Sequence, residues 1–191
     1  MQYFAIKKGN EIPTIDVAMV SIKPDSSEDE IILDTANQIA VTVQTETTDA
    51  NKLIVKGRLI AQKPAVTTIT GNTIVLTDNV FNPEIVKILQ GGTITYKTGQ
   101  TGPISKYEPP VAGSNEKGVP FKLIAYSAVY DAAGLIVNYE KITYPNCQGV
   151  PVAFSSQDDV FRAPEYTINS APKTGEAPYT IEYVDELPTV V

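Results

Sequence analysis

The sequence predicts a mainly β protein with one short helix. Isoleucine, valine and threonine together number 59, against 8 leucines. Such β-branched side chains lose rotamer freedom in a helix and pack well on a pleated surface. Fourteen prolines and twelve glycines supply turns, and short windows alternate polar with apolar residues along most of the chain. At 191 residues, with no internal repeat or dividing linker, residues 1–191 read as a single domain with an N-terminal arm, 1–22, and a long loop, 99–118.

Within the arm, one strand is expected around Ile15–Ile22. Lys23–Glu30 is an acidic loop; it lacks the glycine and terminal bidentate glutamate of a calcium loop, so solvation explains it better. Gln38–Thr47 alternates cleanly and reads as a strand. Thr48–Lys52 reads as a turn, and Leu53–Gln62 as a returning strand in which Gly57 marks a bulge or a close backbone approach. A hairpin is expected next, Thr68–Thr70 and Thr73–Thr77 around Gly71-Asn72, a pair that tolerates positive φ.

The helix, Pro83–Gln90, carries its own boundary signals. Asn82 caps the first free N–H groups and Pro83 takes the first helical position. Glu84 suits the positive end of the dipole, and Gly91-Gly92 permit a left-handed exit. Phe81 and Val86 have the spacing of a hydrophobic staple. Ile85, Ile88 and Leu89 form an apolar face that must lie against a sheet, because two turns of helix are not stable alone.

Thr93–Thr98 is a further short strand. Gly99–Gly118 follows without periodicity, rich in glycine, proline and charge; loops of this length usually serve a function. Its apolar members, Ile104, Tyr107 and Val111, are more than a solvated loop needs. Pro120–Tyr130 and Leu135–Tyr144 read as strands joined at Asp131–Gly134, with both faces apolar enough for a covered sheet. Pro145–Gly149 reads as a turn, Val150–Phe154 as a strand, Ser155–Phe161 and Tyr166–Ser170 as bent continuations, and Ala171–Ala177 as a loop. Pro178–Val184 is the last strand, before an acidic tail.

Composition removes much chemistry. The chain has no histidine and no tryptophan, and one cysteine, Cys147. Ser-His-Asp and Cys-His machinery is therefore excluded, as are histidine zinc sites and internal disulfides. Asp158, Asp159, Glu165, Glu182, Asp185 and Glu186 are the candidates for paired-carboxylate catalysis. Adjacent acids in a strand point to opposite faces, however, and exposed acids explain them better. No Walker-type ending follows the glycines. Tyr126, Tyr130, Tyr139 and Tyr144 lie in apolar strands, where packing is the simpler role. The expectation is a protein that is not an enzyme and takes no cofactor and no metal. A net charge of −7 disfavours tight nucleic-acid binding. No stretch approaches the roughly 18 apolar residues that cross a bilayer, and the start lacks a secretory pattern, so a soluble chain with no membrane partner is expected.

Two stretches carry a family resemblance. TGNTIVLTDNVFNPEIVKILQGGTI, residues 70–94, resembles the hairpin-helix region of major tail tube proteins of tailed bacteriophages, siphophage-like ones in particular. YEKITYPNCQGVPVAFSSQDDVFRAPEYTINSAPKTGEAPYTIEYV, residues 139–184, is similar to their C-terminal part. The resemblance implies two packed antiparallel sheets, sandwich- or barrel-like, with one flanking helix. It implies a virion protein assembled in the host cytoplasm, whose hexameric rings stack into a tube, meet other tail proteins and let DNA pass without tight binding. It also places subunit-interface candidates in the long loop: Ile104, Tyr107, Glu108, Pro109, Pro110 and Val111. The alternative is a phage-associated β-sandwich binding module for a surface glycan, which the tyrosines favour and the missing tryptophan disfavours.

Overall fold

Strands β1 (Thr14–Pro24), β2 (Ile31–Leu33), β3 (Ala36–Thr47), β4 (Asn51–Val55), β5 (Arg58–Lys63) and β6 (Thr67–Asp78) precede the only helix among the described residues, α1 (Pro83–Gln90). After it come β7 (Thr93–Tyr96), β8 (Ile104–Glu108), β9 (Phe121–Tyr130), β10 (Ile136–Gly149), β11 (Glu165–Ser170) and β12 (Thr180–Val184). This computed structural model describes residues 12–27, 30–99 and 102–189. The first eleven residues of the expected arm, with Glu28 and Asp29 of the acidic loop and Gln100 and Thr101 of the long loop, lie outside the described residues.

The mainly β class with one short helix holds. One antiparallel sheet of eight strands runs β2-β1-β9-β10-β11-β6-β3, with β12 paired to β10, and β4-β5 and β7-β8 form two-stranded ribbons. β10 is long enough to take β12 along Tyr139–Thr143 and β11 along Cys147–Gly149. The large sheet folds over until β1 lies near β3. Val20, Ile22, Ile74, Leu76, Leu123, Tyr166 and Ile168 are thereby enclosed in one core, with Ile85, Val86 and Leu89 of the helix closing it.

The helix matches its sequence signals. Asn82 Oδ1 accepts the Glu84 N–H at 2.9 Å, Pro83 opens the helix, and the Gly91 N–H reaches the Lys87 carbonyl with Gly91 at φ 87°. Gly149 explains how closely α1 approaches β10: a Cβ there would fall on the backbone and Cβ of Leu89. Gly149→Ala should therefore cost about 1–3 kcal/mol of stability through overpacking. Urea unfolding of the two proteins measures the difference.

Several local expectations are corrected. The strand expected around Ile15–Ile22 is β1, paired with β9 and β2, so residues 14–22 are built into the large sheet. No turn forms at Gly71-Asn72, because β6 runs straight through. Asn72 is fully buried between Val43 and Ser170, and its amide donates to the Pro178 carbonyl at 3.0 Å. Pro145–Gly149 is no turn either. β10 continues through it, accommodating Pro145 and Asn146 (φ 46°) at a shift in register against β9. A bulge is where a strand can carry a residue with no donor N–H. Residues 150–161 form no strand, and Asp158 and Asp159 lie in a turn rather than on opposite faces of one. The stretch read as one strand with a bulge, Leu53–Gln62, belongs to a hairpin instead. Lys56 and Gly57 have φ 47° and 79°, the pair of positive values a type I′ turn requires.

Candidate assembly surface

That hairpin is the outer half of a single long ribbon. β3 and β6 pair from Ala36↔Asp78 to Thr47↔Thr67, and β4 and β5 resume from Asn51↔Lys63 to Val55↔Arg58. The junction is held by the Thr48 N–H on the Val66 carbonyl (3.0 Å), by the Val66 N–H on the Thr48 hydroxyl (3.1 Å), and by the facing hydroxyls of Thr47 and Thr67 at 2.9 Å. At about 3.3 Å per residue, the nine positions from Thr47 to Val55 carry the tip roughly 30 Å beyond the paired body.

Every residue from Ala40 to Thr70 is exposed. Among them are nine large aliphatic residues: Val41, Val43, Leu53, Ile54, Val55, Leu59, Ile60, Val66 and Ile69, with Ile54 at 60%. Successive strand residues face opposite ways, so Leu53 and Val55 lie on one side of the ribbon and Ile54 on the other. Both faces are apolar. A ribbon with one solvated face would alternate with polar residues, and exposed apolar surface on this scale marks an interaction site.

The ribbon also carries charge. Residues 48–66 hold Lys52, Lys56, Arg58 and Lys63 against one acid, Asp49, in a chain of net charge −7. The remainder of the molecule is therefore at −10.

The long-loop candidates are placed differently from one another. Ile104, Tyr107 and Glu108 belong to β8, which pairs with β7 beside the helix. The Tyr107 hydroxyl donates to the Gly91 carbonyl and accepts from Gln90 Nε2, both at 2.8 Å, so this ring fastens the hairpin to the helix C-terminus. Glu108 pairs with Lys106 at 2.6 Å on the surface. Pro109 and Val111 are exposed and Pro110 half-buried. Deleting residues 99–118 would thus remove a strand bonded to the helix, not just a surface loop. The candidate surface that sequence reasoning missed is the ribbon. Its available signal was Lys56-Gly57 between two runs rich in β-branched and leucine residues.

Other surfaces hold less. Phe161 is 96% exposed on the segment between β10 and β11, where the Arg162 guanidinium sits 5.5 Å from the Phe81 ring centre and 5.6 Å from that of Phe154. A shallow pocket of about 360 Å³ adjoins Arg162 and Glu165. Among the described residues, no three acids or thiols gather as a metal site, and no helix is long and apolar enough to cross a membrane.

Cys147 is fully buried and donates to the Tyr144 carbonyl at 3.3 Å. Burial pushes its thiol up to about 11, far from the thiolate a nucleophile needs. Burial likewise pushes Tyr144 up to about 12. A native acid with a raised pKa holds its proton after the unfolded chain has released it. Its stabilisation is complete below the ordinary value and lost as pH rises toward the native one. Stability should therefore fall between about pH 9 and 11 for Cys147, by an amount on the order of 2 kcal/mol. Cys147→Ala should flatten the slope of Tm against pH over that window; an unchanged slope would contradict the assignment.

No protein-family model matches the chain, and no curated protein matches it. Among solved structures it is similar to a chain in the cryo-EM structure of the anti-feeding prophage (AFP) baseplate, with 9% identity over 97% of this chain and 95% of that one and a TM-score of 0.35. A superposition this loose leaves the functional reading to the chain's own surfaces.

Proposed function

We propose that the chain is a non-catalytic structural subunit of a phage tail. Copies associate into hexameric rings, and the rings stack into a tube that meets other tail proteins and passes DNA without binding it tightly. The observation that carries the reading is the ribbon of residues 45–70, a β-arm that runs on beyond the large sheet and presents aliphatic residues on both faces.

The magnitudes favour a partner. An aliphatic side chain left about half exposed retains roughly 1 kcal/mol of unrealised transfer free energy. Nine of them amount to about 10 kcal/mol gross, comparable with the roughly 4–15 kcal/mol lost as translational and rotational freedom on association. One covered face would leave binding marginal, whereas cover on both faces, repeated around a ring, gives a stable assembly. Closure into a ring also removes exposed strand edges. The resemblance of residues 70–94 and 139–184 to tail tube proteins points to the same kind of assembly.

Negative-stain microscopy and light scattering of the full chain over a concentration series test the proposal. Rings or tubes are expected. A chain that stays monomeric at every concentration, including with tail-tip partners present, would overturn it. Particles that bind glycan as monomers would instead support a binding module.

A further inference from the structure

The proposed assembly leaves open where the arm docks, and the charge distribution together with one strand edge answers that. We infer that the cationic ribbon of one copy lies along the free edge of β12 in a second copy, extending its sheet. This inference rests on the assembly reading above.

β12 is paired with β10 along one edge, and no described strand occupies the other. An unpaired edge is a template for an added strand, whose main-chain hydrogen bonds give affinity while flanking side chains give selectivity. The dimensions agree: β12 spans five residues, and β4 and β5 span five and six. Ile181 and Tyr183 share one face of β12, each nearly half exposed, and so offer apolar surface to the aliphatic residues on one face of the ribbon.

Charge selects this edge. Glu182 on β12 and Asp185 and Glu186 just beyond it are exposed, and Glu140 on the neighbouring strand accepts from the Tyr183 hydroxyl at 3.2 Å. Lys141 is the counter-charge here, bound to Glu182 at 2.8 Å with that carboxylate raising its pKa, which leaves four acids against one cation. Opposite them stand Lys52, Lys56, Arg58 and Lys63. Complementary fields of this kind fix register and speed encounter. A basic ribbon also suits nucleic acid, but its aliphatic residues gain nothing from a phosphate backbone, and the −10 body repels one.

A charge-swap experiment on the full chain decides. Lys52→Glu, Lys56→Glu and Arg58→Glu are combined in one protein; Glu182→Lys, Asp185→Lys and Glu186→Lys in a second; all six in a third. Circular dichroism checks each fold, and sedimentation measures the concentration at half-assembly. Each triple should raise that concentration at least about tenfold, and the six-fold variant should return it toward wild type, as should mixing the two triples at equal ratio. Assembly lost in the arm triple and not regained in either combination would overturn the β12 site while leaving the assembly reading intact. Unchanged assembly with loss of binding to a short DNA duplex would overturn it in favour of nucleic acid. A wild-type chain that never assembles would overturn both.

Discussion

Replacing Leu53, Ile54, Leu59 and Ile60 together by Thr, Asn, Thr and Thr should abolish assembly and leave thermal stability almost untouched. All four side chains stand in water in the isolated chain, at 55–60% exposure. None belongs to either buried cluster. Threonine at three of the four positions keeps the β-branched preference for a strand, which favours keeping the ribbon. The body should unfold within about 0.5 kcal/mol of wild type, the usual range for surface changes. In light scattering the variant should remain monomeric at concentrations where wild type is fully assembled. Continued assembly would show that these residues are not what copies of the chain hold.

The opposite pattern is expected at β1. Ile22 is fully buried, pairs with Leu123 of β9 and with Ile31 of β2, and belongs to the main core. Ile22→Ala removes buried methyl groups and leaves a cavity the tightly packed surroundings close only in part, at a cost of about 2–5 kcal/mol. That is a large share of a typical domain's stability of about 5–15 kcal/mol. Urea denaturation should show the loss, and an assembled sample should form as before once the variant is folded. A loss under about 1 kcal/mol would mean that β1 is dispensable to the core, contrary to its place in the sheet.

These two variants separate what was legible in the sequence from what was not. Local signals sufficed for α1: Asn82, Pro83, Glu84 and Gly91 act on the backbone within a few residues of themselves, so no distant partner is needed to read them. The strands β9, β10 and β12 were legible from short runs rich in β-branched and aromatic residues, bounded by turn signals. Turns were the weak point. Gly71-Asn72 has better turn chemistry than Lys56-Gly57, yet the first is a straight strand and the second a turn. The decision came from far along the chain, through Ser170, paired beside Asn72, and Pro178, whose carbonyl accepts from the Asn72 amide. Lysine seldom adopts positive φ, and the cost at Lys56 is met by closing a ribbon whose strands pair on both sides of the Thr48–Val66 junction.

The long segment 99–118 was singled out for its lack of period, but the absence of a pattern did not reveal that Tyr107 faces the end of a helix. The reverse held for the ribbon. Its apolar residues read as ordinary strand residues, because the sequence does not say whether a strand is covered by its own chain. Only the three-dimensional arrangement shows residues 45–70 paired to nothing but each other, and this adds the ribbon to the loop residues at 104–111 as a candidate interface.

The central claim is that this ribbon is buried by neighbouring copies. Hydrogen exchange of the backbone amides between Thr48 and Val66, compared in dilute monomer and in assembled protein, tests it most directly. A two-stranded ribbon alone in water is at best marginally stable, so these amides should exchange rapidly in the monomer. In the assembly they should slow by about two orders of magnitude or more, with protection extending to β12. Assembled particles in which residues 48–66 exchange at the monomer rate would contradict the account.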